Sequence, residues 1–258
     1  MSTAVNVGSP GVANRIKTYV SCLGKYDRVL TTKGVDAYIF DNIEVASFDE
    51  IQKYDGHDFW RLTFREEEKE FLKGYKNIDL LYENTPKYFI GKFKLLFLML
   101  KINQDIQDYV NNFTENWDDV IGLHIRSWYC DRRRYHSNKL FEDAIDALDK
   151  DKKIFLCGDN DDVLKHFENR YGSRIITHPQ ERFNHPHKAE SGLNPSFQTN
   201  VDAFIDLLCL SKCETIVGTY ASTFTEVAWW FGKCKPKVII PEPPNVDESF
   251  KNRIFEKL

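Results

Sequence analysis

The sequence predicts an α/β fold, because short apolar runs alternate with segments whose apolar residues recur at helical spacing. The alternation is most regular after residue 118, where runs such as Val120–Ile125 and Ile154–Cys157 are each followed by a helical pattern. Strands that are nearly continuous apolar runs are typical of parallel sheets covered by helices on both faces. We therefore expect βαβ units built around parallel sheets.

The chain length is compatible with one large domain or with two small α/β lobes. At 258 residues the chain is long for one compact domain and short for two full ones. The run Asn116-Trp117-Asp118-Asp119 interrupts the pattern of elements. We place a lobe boundary there, which gives lobes of residues 1–117 and 118–258.

The predicted elements of the first lobe are short and irregularly spaced. A strand at Ala4–Val7 precedes a glycine-containing loop and a helix that Asn14 caps. The longest predicted helix runs from Phe89 to about Asn111. The other predicted elements are strands at Val29–Thr31, Tyr38–Phe40, Ile43–Ala46 and His57–Phe64, and a helix at Glu66–Lys73.

The second lobe has strands and helices in regular order. The predicted strands are Val120–Ile125, Ile154–Cys157, Arg174–Thr177, Thr215–Val217 and Val238–Ile240. The predicted helices are one capped by Ser137, one through Val163–Phe167, and two at Val201–Leu210 and Thr223–Phe231. Ligands of such sheets bind beyond the carboxyl ends of the strands, so the residues that follow each strand are the candidates for a site.

Composition and charge argue against several functional classes. A net charge of −4 gives no global positive field for nucleic acid. The most apolar stretch, Phe89–Ile102, is short for a membrane span and contains three lysines. The N-terminal residues lack the basic and apolar regions of a secretory signal, and the six cysteines form no CxxC pair. We expect a cytoplasmic protein with reduced thiols, no membrane span and no nucleic-acid partner.

Arg126 is the candidate with the clearest chemistry. It follows the strand at Val120–Ile125, where an arginine is hard to bury without an anionic partner. Gly218–Thr223 enters a helix whose first amides attract anions, although plain capping by Ser222 is the more common role. A ligand diphosphate between Arg126 and Ser222 is one simple explanation of both features. His124 shares the strand face of Arg126, and such a residue is by itself more often a core histidine.

Further candidates each have two interpretations. Asp159 either accepts hydrogen bonds from a guanine or ribose or shares the capping of the next helix with Asn160 and Asp161. Asp131 is the first candidate for a general base, and a salt bridge to the adjacent Arg132–Arg134 is at least as good a role. His185-Pro186-His187 stands without cysteines or paired carboxylates at ligand spacing, so we expect no metal.

Four segments, taken in the order in which they occur along the chain, resemble motifs of the GDP-fucose transferase superfamily. That group includes the α1,2-, α1,6- and protein O-fucosyltransferases and the bacterial nodulation fucosyltransferases. The early loop with Asn14-Arg15 resembles the family's N-terminal loop, and His124-x-Arg126 resembles its HxR motif. Ile154–Asn160 is similar to the second motif, and Asp202–Cys213 followed by Gly218–Phe224 is similar to the third. The set spans nearly the whole chain.

The resemblance implies a GT-B-like fold: two Rossmann-like lobes with parallel sheets and a cleft between them, the first lobe on the acceptor side and the second binding the donor nucleotide. It implies inverting, metal-independent transfer of fucose from GDP-fucose to a glycan hydroxyl, without a cofactor. Arg126 would hold the β-phosphate and stabilise the departing GDP. The other implied donor-binding residues are His124 and Asp159 at the nucleoside, Ser222 and Thr223 at the phosphates, Phe224 in the same motif, and Asn14 and Arg15 lining the donor side of the cleft.

The sequence departs from the family pattern at two informative positions. Ala13 stands where the loop often has glycine, and Ser127 stands where several subfamilies have a second arginine. These departures leave two alternatives open. One is a transferase that uses another sugar nucleotide, such as a xylosyl or rhamnosyl donor. The other is a nucleotide-binding lobe without turnover.

Overall fold

A computed structural model describes residues 2–6, 11–23, 26–53, 87–127, 137–180, 182, 195–220 and 222–241. The described residues fall into two compact units, which join in the chain between Asn112 and Phe113. The predicted elements His57–Phe64 and Glu66–Lys73 lie outside the described residues. The assignment of residues 1–117 to the acceptor side and of residues 118–258 to the donor side stays a prediction.

The first unit contains a small parallel sheet of strand order β1-β2-β3. Its strands are β1 (Thr3–Asn6), β2 (Arg28–Thr31) and β3 (Glu44–Val45). Its described helices are α1 (Val12–Leu23), α2 (Gly34–Ile39), α3 (Phe48–Lys53), α4 (Lys87–Leu98) and α5 (Gln104–Phe113). Apolar residues of β1 and β2 are fully buried, among them Val5 and Leu30, so the sheet forms the core of this unit.

Three sequence predictions are wrong in the first unit. Asn14 lies inside α1, which begins at Val12, so it does not cap that helix. The predicted strand Tyr38–Phe40 instead comprises the last two residues of α2 and its C-cap Phe40, whose backbone N donates to the carbonyl oxygen of Asp36 at 2.9 Å.

The long helix predicted from Phe89 to Asn111 is instead the pair α4 and α5. The break occurs where Ile102 pairs with Phe40 in an antiparallel bridge. Asn103 Oδ1 then accepts from Asp105 N at 2.9 Å, which satisfies an amide at the start of α5.

The second unit contains a larger sheet in which every strand pair is parallel. Its strands are β4 (Ile121–Ile125), β5 (Ile154–Gly158), β6 (Ile175–Ile176), β7 (Thr215–Val217) and β8 (Lys237–Ile239). Its described helices are α6 (Asn138–Asp146), α7 (Asp161–Tyr171), α8 (Phe197–Leu210) and α9 (Thr223–Phe231), with a 3₁₀ turn at Gly172–Arg174. These bounds agree closely with those predicted for the second lobe.

Both faces of the larger sheet are buried. On one face, Leu123 and Ile125 of β4 pack in a cluster with Phe141 of α6 and Phe167 of α7. On the other face, Gly122 faces Leu210 at the end of α8 and the following Cys213. The prediction of an α/β fold with a parallel sheet covered on both faces is therefore confirmed.

The strand order of the larger sheet, β6-β5-β4-β7-β8, reverses direction beside β4. The chain moves outward from β4 through β5 to β6, and then returns to the other side of β4 with β7 and β8. A crevice opens at such a reversal, outside the carboxyl ends of the two strands, and doubly wound proteins bind ligands there. The topology thus selects the residues after β4 and β7.

A substitution at Gly158 tests how tightly the ends of β4 and β5 are packed. A Cβ atom at this position would lie 2.6 Å from the carbonyl oxygen of Ile125, and a backbone atom has little freedom to move away. We expect Gly158→Ala to lower the free energy of unfolding by about 1–3 kcal/mol. The measurement is urea denaturation followed by circular dichroism.

The matched control for Gly158→Ala is Gly34→Ala, since no heavy atom lies within 4 Å of a Cβ built on Gly34 at the start of α2. Alanine there should be neutral or stabilise by up to about 1 kcal/mol. Equal urea midpoints for the two variants would show that the close approach at Gly158 carries no energetic cost.

Candidate functional site

Thr219 joins the carboxyl ends of β4 and β7. Its Oγ1 accepts a hydrogen bond from Arg126 N at 2.8 Å and donates one to the carbonyl oxygen of His124 at 3.0 Å. The side chain is fully buried. One hydroxyl group therefore fixes the backbone on both sides of Ile125, just where the arginine leaves the sheet.

His124 is held by two residues of α9. Its Nδ1 lies 2.8 Å from Thr225 Oγ1, and its ring stacks on Phe224 with 4.6 Å between centroids and 21° between planes. Only 5% of His124 is exposed. Two interpretations of His124 were open from the sequence, and its buried, hydrogen-bonded state matches a core histidine. Its role at a nucleoside stays a prediction.

Burial, and to a smaller extent the positive charge of Arg126, together lower the pKa of His124 from 6.5 to about 3. Both effects disfavour the protonated ring, because a buried imidazolium lacks solvation and would lie near a like charge. His124 is consequently neutral at physiological pH. The positive charge at this strand end belongs to Arg126 and not to the histidine.

The N-terminus of α9 lies next to the same strand ends. Ser222 occupies the N-cap position, and its backbone N donates to the carbonyl oxygen of Thr219 at 3.2 Å. The Ser222 side chain is buried and makes no capping hydrogen bond to this helix. The plain capping role considered for Ser222 is therefore wrong. Thr223 and Phe224, the first two residues of α9, are half-buried.

Asp159 follows β5 and is fixed by Ser127, which follows β4. Asp159 Oδ1 accepts from Ser127 N at 2.9 Å and from Ser127 Oγ at 3.0 Å. The cap of α7 is Asn160, whose side chain accepts from the amides of Asp162 and Val163. Asp159 thus bridges two strand ends instead of capping the helix. Ser127, where several subfamilies of the resembled group have a second arginine, is the residue that orients it.

A second buried polar cluster lies beyond β6. Asp206 of α8 accepts from Gln180 Nε2 at 2.6 Å, and one of its oxygens lies 3.5 Å from His178 Nδ1. Burial raises the pKa of Asp206 above its ordinary value. The cluster fastens the segment after β6 to α8. The periodicity of α8 and the motif at Asp202–Cys213 drew attention to this region, but neither pattern shows which helix residues are polar partners.

Asn14 and Arg15 belong to the first unit. Arg15 is only 4% exposed and forms a two-pronged ion pair with Asp36, with Nε to Oδ2 at 2.7 Å and the second nitrogen to Oδ1 at 2.8 Å. Tyr19 donates a hydrogen bond to the same carboxylate. The sequence pointed to Arg15 as a ligand-binding residue, and the structure gives it an internal carboxylate partner that the pattern did not indicate. Its donor-binding role stays a prediction.

Several predicted residues lie outside the described residues: Asp131, Arg132–Arg134, His185 and His187. Within the described part of the chain, His, Cys, Asp and Glu residues form no group of three or more that is arranged to hold a metal ion. The helices of that part include none with the length and hydropathy needed to cross a membrane.

Thr219 and Thr225 are the site residues that sequence reasoning missed. Both stand in the predicted turn and helix after β7, where glycine, threonine and serine were noted only as a group. Gly218 was a usable signal, because a Cβ there would lie 2.4 Å from Thr225 Cγ2. A glycine at a strand end often marks such a close approach.

The second unit has a doubly wound α/β fold, and 88% of the chain matches solved fucosyltransferase structures of GT-B fold. The NodZ α-1,6-fucosyltransferase co-crystallised with GDP is 16% identical over 88% of this chain and 91% of that chain, with a TM-score of 0.53. The selenomethionine form of NodZ from Bradyrhizobium is 17% identical over the same shares, also with a TM-score of 0.53.

An Arabidopsis thaliana FUT1 variant in complex with GDP is 15% identical over 98% of this chain and 72% of that chain, with a TM-score of 0.50. No family model matches the sequence. No curated protein matches it by sequence. The predicted GT-B-like fold is confirmed as an α/β fold with parallel sheets, and the resemblance to the fucosyltransferases is confirmed at the level of fold. The cleft between two lobes stays a prediction.

The depressed pKa of His124 predicts how stability depends on pH. In the unfolded chain the His124 ring takes up a proton near pH 6.5. In the folded chain the same ring stays unprotonated until about pH 3. The free energy of unfolding should therefore fall as the pH falls from 6.5 towards 3, because the unfolded state binds more protons. Asn supplies a polar atom near the position of Nδ1 but does not titrate, so His124→Asn should make this fall shallower. Urea denaturation across the interval measures it.

The control is Gly34→Ala at the exposed start of α2, because this substitution alters no titratable group. This variant should retain the wild-type slope. The interpretation of His124 is wrong if its asparagine variant has the same pH slope as the wild type.

Proposed function

We propose that the chain is a glycosyltransferase that transfers fucose from GDP-fucose to a glycan hydroxyl, with inversion and without a metal. The observation that supports this most directly is the corner formed by Arg126 and the N-terminus of α9, which Thr219 holds together at the strand reversal. Arginine matches phosphate oxygens, and helix N-termini attract anions. A nucleoside diphosphate is the ligand that suits both groups.

The chemistry follows from where charge develops. As the bond between the sugar and the diphosphate breaks, negative charge grows on the departing GDP. A fixed guanidinium and the first amides of α9 stabilise that charge without having to reorganise. In this proposal Arg126 binds the β-phosphate, and Ser222 and Thr223 bind the phosphate oxygens, with Phe224 adjoining them in α9.

Further residues complete the proposed donor site. His124 is buried and uncharged, so it contributes a hydrogen bond or packing at the nucleoside and no charge. Asp159 keeps a defined orientation through Ser127 and accepts hydrogen bonds from the nucleoside. Asn14 and Arg15 line the donor side, and Asp131 takes the proton of the acceptor hydroxyl. The proposed setting is the cytoplasm, and the proposed partners are a nucleotide-sugar donor and a glycan or glycoconjugate acceptor.

Calorimetry with GDP and UDP tests the proposed donor class. Binding of GDP with no binding of UDP supports a GDP-sugar enzyme, whereas preference for UDP supports the alternative donors. Hydrolysis of GDP-fucose without an acceptor then tests turnover. A protein that binds GDP but leaves GDP-fucose intact, with or without glycan acceptors, is a nucleotide-binding lobe and not a transferase.

Arg126→Ala should lower kcat for GDP-fucose turnover by roughly 10²–10³, or about 2.7–4 kcal/mol, because one donor to the developing charge is lost. Turnover is measured as GDP release, together with circular dichroism to verify folding. Arg170→Ala is the matched control, since the half-exposed Arg170 pairs with Asp146 on the helical surface. Wild-type turnover in the Arg126 variant would refute the assignment.

A further inference from the structure

The ladder between β4 and β7 ends before β4 does. Its last pair is Leu123 with Val217, whereas β4 continues to Ile125. Beyond Val217 the chain still pairs with β8, because Gly218 N donates to the carbonyl oxygen of Ile239 at 2.9 Å. The end of β4 therefore needs another group to connect it to the segment after β7.

The same register places Thr219 opposite Ile125, two residues beyond the last pair. In a parallel ladder, the residue at that position would bond through its backbone N–H and C=O to the residues that flank its partner. The Thr219 hydroxyl makes those two bonds, to the carbonyl oxygen of His124 and to the amide of Arg126. A side chain replaces the missing rung, and the backbone of residue 219 is displaced from β4.

Thr219 also holds the helix that follows it. Its carbonyl oxygen accepts from Ser222 N, the N-cap residue of α9, at 3.2 Å. One buried residue thus contacts the backbone of Arg126 through its side chain and the start of α9 through its main chain. The separation between these two anion-attracting groups depends on Thr219.

We propose that Thr219 is a positioning residue that sets Arg126 against the N-terminus of α9 for binding the diphosphate of the donor. This inference rests on the proposed function. A diphosphate has a fixed span, and misplacement of a binding group by about 1 Å costs up to 10² in rate. Thr219 acts through Arg126 and does not contact the reacting atoms.

The test uses the full-length chain, with GDP as the calorimetric probe. Thr219→Val keeps the shape and removes the hydroxyl, and it should weaken GDP binding about tenfold or more. Thr219→Ser restores the hydroxyl and should restore affinity to nearly the wild-type value. Thr215→Val, at the amino end of β7 and away from the candidate site, is the matched control and should leave GDP affinity unchanged.

A double-mutant cycle separates positioning from a structural role. If Thr219 acts through Arg126, Thr219→Val causes no further loss of GDP affinity in the Arg126→Ala background. A merely structural role lowers the urea midpoint in both backgrounds and leaves the GDP affinity of the folded protein unchanged. GDP binding by the valine variant at wild-type strength overturns the inference, as does an equal loss in both backgrounds.

Should the valine variant fail to fold, Thr219→Cys replaces it, because a thiol is of similar size and a weaker hydrogen-bonding group. The cysteine variant should bind GDP more weakly than the serine variant, and equal affinities overturn the inference. A wild-type chain that binds no GDP is a different result. That result refutes the proposed function itself, whatever the role of Thr219.

Discussion

The reversal of strand order beside β4 is the constraint on which the candidate site depends. It places α6 and α7 against one face of the sheet and α8 and α9 against the other, and it leaves the ends of β4 and β7 without a continuing ladder. The backbone groups left at that edge must still be satisfied. Side chains meet this demand, so the residues that complete the hydrogen bonding are also the residues that shape the site.

Hydrogen bonds made by side chains connect the elements at this edge of the sheet. Thr219 bonds to both neighbours of Ile125, and Ser127 connects the end of β4 to Asp159 after β5. Thr225 holds the ring of His124 from α9. Each of these links joins elements that are distant in the chain, so tertiary packing sets the positions of the His124 ring, the Arg126 backbone and Asp159.

The second unit could be predicted almost entirely from the sequence, because buried parallel strands are short apolar runs and their helices have a clear period. The start of α9 after Ser222 was predicted at the observed residue. The first unit was harder, since Tyr38–Phe40 has the composition of a strand but ends a short helix. Local pattern alone does not show that an antiparallel bridge from Ile102 arrives at Phe40.

The candidate site, too, could be predicted only in part. Arg126 and Ser222 could be found because charge and turn residues at strand ends are visible in the sequence. The partner of Arg15 could not, since Asp36 lies on the next helix and meets it only through tertiary packing. Thr219 was visible as a residue, but its role depends on the register between β4 and β7, which a single sequence does not specify.

The lowered pKa of His124 determines how the charge at the ends of β4 and β7 depends on pH. Arg126 stays protonated at every cellular pH, and its histidine neighbour stays uncharged from mildly acidic to alkaline conditions. The electrostatic potential that these two residues create is therefore constant across that range. An anion bound beside these two residues would therefore meet the same positive charge in mildly acidic and in neutral solution.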